Sequence, residues 1–459
     1  MGLGLHGGGI ASARFLAAHG AELTITDLRD EETLRPSIEQ LRDLPIRYVL
    51  GRHEMEDFSR ADMVVKNPAV PRQSPYLREA RRVETDLTLF LRLNRRPVLA
   101  VTGSKGKSTT VSALHTIMKR KYPEALLGGN ITISPLTFAD ECLNPTRSPV
   151  ILELSSWQLA DIIPVELLKA RIALITNIMA DHQNAYSSMD DYVADKRRIF
   201  HGQGPGDDSI CPYDDAYRPV LERNITGRRL YYSARELPAD LDGAYFSENI
   251  GRIRIQGEES SIVPEKTVLP GAHNRVNLLA AGMIAFLYGI SADIVMEETG
   301  GFAGIEHRLE LLDTGDGVHW YNDSAATIPE ATGAALRSLE SRVHLITGGT
   351  DKKLNFTAFE ELVHLPATIH LLAGSATDRM IEILRREGVS FNGPFDSLQT
   401  AVDSAAAAAI AGDSILFSPG STSFGMFLNE FDRGRRFKEA VAERSGTLSG
   451  PGAEISSPE

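Results

Sequence analysis

The chain has 459 residues, 42% hydrophobic and 24% charged, the composition of a soluble globular protein with about two to four cores. Its 48 Lys and Arg against 61 Asp and Glu leave a net charge of −13, which argues against a nucleic-acid partner held by clustered cations. The longest apolar runs, "VILEL" and "RIALIT", are strand-length, which argues against a membrane span, and no charged-then-apolar leader opens the chain. Cys142 and Cys211 offer neither metal spacing nor a disulfide framework, so the expectation is a cytoplasmic enzyme.

Strand-like runs alternate with helical patterns, which predicts an α/β architecture built on parallel sheets. The first block, 1–93, opens with "GLGLHGGGIASARFLAAHG" and continues through the strands "AELTITD" and "ADMVVKN". The strand that should precede a glycine turn of this kind has no room before Gly2. Either the chain start is placed late or the sheet lacks an edge element. "LNRRP" reads as a linker into the second block, 94–301, which carries "VLAVTG", "PVILEL", "RIALITN" and a β-rich stretch near 227–270. The third block, 302–445, holds the strands "VHWYND", "VHLITGG", "TIHLLAG" and "SILFSPG" between helices, one of them the Ala-rich run 401–412. The small, polar residues 446–459 read as a disordered tail.

The chemistry is concentrated in "VTGSKGKSTT", 101–110. A strand, a glycine turn and a helix beginning near Lys107 form the context of a phosphate site, with helix N–H groups facing the anion. Gly103, Ser104, Lys105, Gly106, Lys107, Ser108 and Thr109 are the candidate phosphate ligands. Lys107 would neutralise the β- and γ-phosphates and the Ser108 hydroxyl would reach Mg²⁺. The usual loop has its first glycine where Val101 stands, so this loop is two residues shorter. Glu153 ends an apolar strand, where its carboxylate can face a bound cation. Asn274 and Asn277 lie three apart on one helical face, suited to an adenine and its sugar. Gly4 and Gly7 with Asp27 fit a dinucleotide fingerprint, Asp27 lying 20 residues beyond Gly7, so NAD or FAD is an alternative from these residues alone.

The loop is similar to the short T-G-[ST]-N-G-K-[ST] loop of the Mur ligases and folylpolyglutamate synthetases, with Lys105 in place of the usual Asn. The likeness continues in family order through "GGNI", "LELSSWQL", "TNIMADH", "HNRVNLLAA", "GIEHRLE", "NDSAAT", "GGTDK" and "SPGSTSFGMFLNEFDRG". It is greatest to the ligases that add glutamate to UDP-N-acetylmuramoyl-L-alanine. This implies three domains: a Rossmann-like N-terminal domain for UDP, a central phosphate-loop ATPase domain and a Rossmann-like C-terminal domain for glutamate. The implied reaction uses ATP and two Mg²⁺ ions held by Ser108, Glu153, His182 and a carbamylated Lys196; read alone, His182 and Lys196 would be ordinary core or surface residues. The resemblance places Leu5, His6, Asp27, Arg29, Asn130 and His182 on the UDP-sugar, and Arg308 and Asp323 on ATP. Thr327, Lys352, Ser423 and Phe424 fall on glutamate. A monomer whose domains close over the site is implied.

Besides Lys105, three motifs depart from the pattern: Ala325 replaces a lysine, "NPA" at 67–69 replaces "SPG", and Thr132 replaces a glycine. These leave open L-glutamate as the substrate, a folylpolyglutamate-type ligase, and a nonenzymatic nucleotide sensor on the same scaffold. Lys105 can supply the charge that Ala325 lacks. Lys105→Asn should then lower turnover markedly, and an unchanged steady-state rate would refute the compensation.

Overall fold

The computed structural model of the chain describes residues 1–445 apart from 6, 132, 180–185, 187, 313, 316, 352–355, 424, 425 and 428. Two compact units form: Met1–Val268 with His273–Phe302, and Leu269–Ala272 with the chain from Ala303.

Among the described residues the first unit is built on a nine-stranded sheet. Its order is Glu258–Val263, Ile250–Ile255, Gly243–Ser247, Arg228–Ser233, Asp208–Pro212, Ala170–Ile175, Val98–Thr102, Val150–Glu153 and Leu126–Gly129. The first two pairings are antiparallel and all the others parallel. Val98–Thr102 is buried along its whole length, as its unbroken apolar run requires of a parallel strand covered on both faces. The helix Asp86–Leu93, capped by Thr85 and Thr88, sends Leu87, Phe90 and Leu91 into the same core as Val98, Leu152 and Ala173. Arg96, in the segment read as a linker, is buried and donates to the carbonyls of Glu124 (3.2 Å) and Glu141 (2.8 Å).

At the start of the chain, Leu23–Asp27 pairs with Ile46–Leu50, and Val64–Val65 with Val83–Glu84, as separate parallel pairs. Met1 and Gly2 lie between them. The Gly2 N–H donates to Thr26 O (2.8 Å), the Met1 amine to Val65 O (2.9 Å), and the Asn67 N–H to Met1 O (2.9 Å). The short element is therefore in the middle of these strands and not at an edge, because two residues can make only one or two bonds on each side. A buried ion pair ties this part to the helix Ser156–Asp161 beside the large sheet: Lys66 Nζ donates to Asp161 Oδ2 (2.6 Å), and also to Val70 O (3.1 Å).

Among the described residues of the second unit a six-stranded sheet has the order Glu310–Leu312, His319–Asn322, Ser414–Phe417, Val343–Gly348, Thr368–Leu372, Asn392–Phe395, and only the first of these pairings is antiparallel. Its core contains a polar chain. Asp413 Oδ2 bonds His344 Nε2 (3.0 Å), whose Nδ1 bonds Thr368 Oγ1 (2.8 Å); that hydroxyl bonds His370 Nε2 (2.8 Å), and His370 Nδ1 bonds Ser404 Oγ (2.9 Å). Burial, followed by the neighbouring His344, lowers the His370 pKa from 6.5 to about 4. A histidine buried neutral stabilises the fold above pH 6.5 and loses that contribution as pH falls toward 4. After screening, this unit should lose about 2 kcal/mol over that window. Thermal melts from pH 7 to 4 should show a flatter slope for His370→Asn than for the native chain.

Candidate active site

The phosphate loop leaves the strand Val98–Thr102 at its carboxyl end and enters the helix Lys107–Lys119 through Gly106 at φ 83°. A side chain at Gly106 would strike the Asn277 amide, so glycine lets the loop meet the helix Ala272–Leu287 there. Asn274 and Asn277 are both buried on that helix. Lys107 Nζ donates to the carbonyls of Gly103 and Ser104, each at 2.9 Å. Lys196 Nζ donates to the same Gly103 carbonyl at 2.8 Å. Far from being a surface lysine, Lys196 is 2% exposed, with its ammonium 4.5 Å from the Tyr192 ring centre. Ser104 does not turn its hydroxyl outward: Oγ bonds the Tyr192 hydroxyl (3.0 Å), donates to Met179 O and accepts from Met179 N–H. Lys105 is exposed, while Ser108 and Thr109 are half-buried in the first helical turn.

Glu153 is 1% exposed. Its Oε1 accepts from Asn130 Nδ2 (2.8 Å), and its main-chain carbonyl accepts from the Asn130 N–H (2.8 Å). Oε2 is buried with no hydrogen-bond partner among the described residues. Asn130, expected on the sugar substrate, holds the Glu153 carboxylate in this structure. An orphaned carboxylate oxygen at a strand's carboxyl end suits a hard cation. Among the described residues no three His, Cys, Asp or Glu side chains converge as a metal cage. His182 lies outside the described residues.

At the first glycine turn, the Asp27 carboxylate accepts the N–H of Gly4 (3.3 Å), the N–H of Arg29 (3.0 Å) and the Arg29 guanidinium. Burial pushes its pKa up, but these bonds outweigh it and hold the group below the usual carboxylate range. Asp27 therefore shapes the turn from within. The Asn67 side chain stands against Gly2 and Gly4 and accepts from Ala69 N–H (3.0 Å), so the "NPA" segment flanks that turn. Leu5 is exposed at 38%, and His6 lies outside the described residues.

The sequence reading missed Asp86, which accepts from Ser134 Oγ (2.8 Å) and Leu87 N–H (2.8 Å), its carboxyl pushed up by burial. It also missed Thr176 and Asn177, whose bonds hold the phosphate loop. Their signal was available in "ITN", at the carboxyl end of a buried parallel strand, where open sheets bind ligands.

In the second unit, His307 is buried at φ 66° and its ring bonds Asn322 Nδ2 (2.9 Å). Arg308 is exposed and acts electrostatically on Asp323. Asp323 is buried, accepting from Ser418 Oγ (2.7 Å) and Leu309 N–H (3.2 Å). Arg433, another residue the sequence reading missed, is 1% exposed and donates to Ser324 Oγ, Ser324 O and Ser421 O. It thereby joins the segments that follow two neighbouring strands. Thr327 is half-buried, Ser423 is buried, and Lys352 and Phe424 lie outside the described residues.

A shortened phosphate loop at the carboxyl end of a parallel sheet, with a buried half-paired carboxylate on the adjacent strand, defines an α/β enzyme of phosphoryl chemistry. The family model of the Mur ligase middle domain matches residues 101–285, and that of the Mur ligase MurD-like N-terminal domain matches residues 1–88. UDP-N-acetylmuramoylalanine–D-glutamate ligases of Borreliella afzelii and Treponema pallidum are 43% and 37% identical to this chain, in each case over 96% of both chains. The solved UDP-N-acetylmuramate–alanine ligase MurC of Thermotoga maritima matches with TM-score 0.60 at 18% identity, over 96% of this chain and 98% of its own. MurF of Acinetobacter baumannii matches with TM-score 0.60 at 16% identity, over 93% and 92%. The chain belongs to the Mur ligase family.

Burial raises the Asp323 pKa from 3.8 to about 7, so its charged form costs stability as pH rises through that range. Asp323→Asn should gain on the order of 2 kcal/mol at pH 8 and nothing at pH 4. Melting curves at the two pH values test this, and equal stabilities at pH 8 would show an ordinary carboxyl.

Proposed function

We propose that this chain uses ATP to join D-glutamate to UDP-N-acetylmuramoyl-L-alanine, forming ADP and phosphate, as a cytoplasmic monomer in peptidoglycan precursor synthesis. The 43% identity to named D-glutamate ligases over 96% of the chain supports the substrates. The observation that carries the chemistry is the meeting of Lys107 and Lys196 on the single carbonyl of Gly103, at the mouth of the phosphate loop.

A carboxylate is a poor electrophile, so the alanyl carboxylate first takes the γ-phosphoryl group of ATP. The amine of glutamate then attacks the acyl phosphate, and the tetrahedral intermediate collapses to amide and phosphate. In this reading Lys107 leaves the loop carbonyls for the β- and γ-phosphates, and the first N–H groups of its helix receive the anion. Asn274 and Asn277 hold the adenosine side together with Arg308 and Asp323. Ser108, Glu153, His182 and Lys196 are the residues that would hold two Mg²⁺ ions, which screen the negative charge of the triphosphate. Glu153 fits because one of its buried oxygens has no hydrogen-bond partner among the described residues. Carbamylation converts Lys196 from a second cation on Gly103 O into an anionic oxygen donor, which removes the encounter of two like charges.

Segments 1–93, 94–301 and 302–445 serve the nucleotide-sugar, ATP and glutamate respectively. The turn at Leu5, His6, Asp27 and Arg29 takes the UDP end; Thr327, Lys352, Ser423 and Phe424 take glutamate. With Lys107, Glu153 and Lys196 all in place, a nonenzymatic sensor would rest on Ala325 and Ala69 alone.

Phosphate release should require ATP, UDP-N-acetylmuramoyl-L-alanine and D-glutamate together, and should fall at least a hundredfold in Glu153→Gln, by analogy with losing one charge-stabilising group. Release with L-glutamate instead, or with a folate acceptor, would refute the assignment.

A further inference from the structure

The shortened loop is closed from outside by the strand end that follows Ala170–Ile175. Asn177 reads the backbone of Lys105 in both directions: its Oδ1 accepts the Lys105 N–H (3.0 Å), and its Nδ2 donates to the Lys105 carbonyl (3.1 Å). Its own carbonyl accepts the Ser104 N–H (2.8 Å). Thr176 Oγ1 adds a second donor to Lys105 O at 2.6 Å. The clamp is itself anchored. The Thr176 N–H bonds Thr102 O (2.8 Å), extending the strand pairing, and the next residue, Ile178, donates its N–H to Asp215 Oδ2 (2.7 Å). Gly103 allows the close approach, since a side chain there would strike Thr176 and Asn177.

A phosphate loop works by presenting backbone N–H groups on a rigid curve. Here the N–H groups of Ser104 and Lys105 face the protein instead, and both polar groups of the Lys105 backbone are held. Fixing the N–H and C=O of one residue fixes the origin of its side chain. Lys105 is also the residue that departs from the short-loop pattern by carrying a charge.

We propose that Asn177 is a positioning residue of the phosphate loop: its amide clamps the Lys105 backbone so that the Lys105 ammonium is aimed at the nucleotide phosphates. Thr176 supports the same carbonyl. This rests on the ATP-dependent ligase reading given above. With its amide occupied by the Lys105 backbone, Asn177 acts through Lys105 and the loop's shape.

The test uses the full chain and a fluorescent ADP with Mg²⁺, titrated into the native protein, Asn177→Ala, Asn177→Asp and Thr176→Val. Asn177→Ala, which loses two bonds, should bind about tenfold more weakly, Thr176→Val, which loses one, about threefold, and Asn177→Asp, which keeps the acceptor but sets a carboxylate against the Lys105 carbonyl, about tenfold. The KM for UDP-N-acetylmuramoyl-L-alanine should stay within about twofold, which a general loss of fold would not allow. Amide hydrogen exchange at Lys105 in the nucleotide-free protein should accelerate in Asn177→Ala. In a double-mutant cycle with Lys105→Asn, the nucleotide-binding loss from Asn177→Ala should largely vanish. Native-like ADP affinity in Asn177→Ala, or strictly additive losses in the cycle, would overturn the role of Asn177 while leaving the ligase reading intact. Absence of ADP binding by the native chain would overturn both.

Discussion

The carbonyl of Gly103 is the point on which the central site turns. It accepts from Lys107 and from Lys196, two residues far apart in sequence, and it follows directly from a strand of the large sheet that is buried along its whole length. Both ammoniums can gather there only because the strand ends where it does and because Gly103 adopts φ 144°, a backbone state that side chains disfavour. The rest of the unit keeps that arrangement rigid. Tyr192 packs against Lys196 and bonds Ser104, while Thr176 and Asn177 hold the loop from the neighbouring strand.

The first block enters the central core with Leu87, Phe90 and Leu91, with Phe15, Leu16, Met63 and Val65 packed against it, and is joined to this centre through polar groups as well. Its small cluster, Leu3, Ala13, Leu34 and Leu41, is separate from the central core. The polar links are the buried Lys66–Asp161 pair, joined by Arg72, and the Asp86–Ser134 bond. Buried ion pairs contribute little net stability but resist being broken, because each partner left alone is an uncompensated charge. They therefore define orientation more than they stabilise. The glycine turn and its flanking "NPA" segment are tied in this way to the helix Ser156–Asp161, whose start lies just after Glu153.

The second unit follows the same logic with different groups. Arg433 is one of its largest fully buried side chains and bonds backbone and hydroxyl oxygens around Ser324 and Ser421. Burial lowers its pKa to about 10, a measure of how far it has been withdrawn from water. Asp323, with its raised pKa, lies within its field. Charged groups kept this dry are costly to the fold, and sites commonly retain them where geometry matters more than stability.

By itself the sequence determined the alternation of strands and helices, the shortened loop between Gly103 and Gly106, and the placing of Glu153 at the end of an apolar strand. These are local properties: periodicity, glycine spacing and the position of a charge at the boundary of a hydrophobic run. The family likeness was legible for the same reason, since its motifs are short and contiguous. Only the tertiary structure decided that Lys196 is buried, that Asn130 holds Glu153, that Asp27 bonds its own turn, and that Met1 and Gly2 lie in the middle of the first strands. It alone brought Asn177 onto Lys105, 72 positions apart in the chain. Each of these depends on which strands become neighbours in a sheet. That choice is made by packing many residues at once, and no stretch of sequence carries it in its own composition.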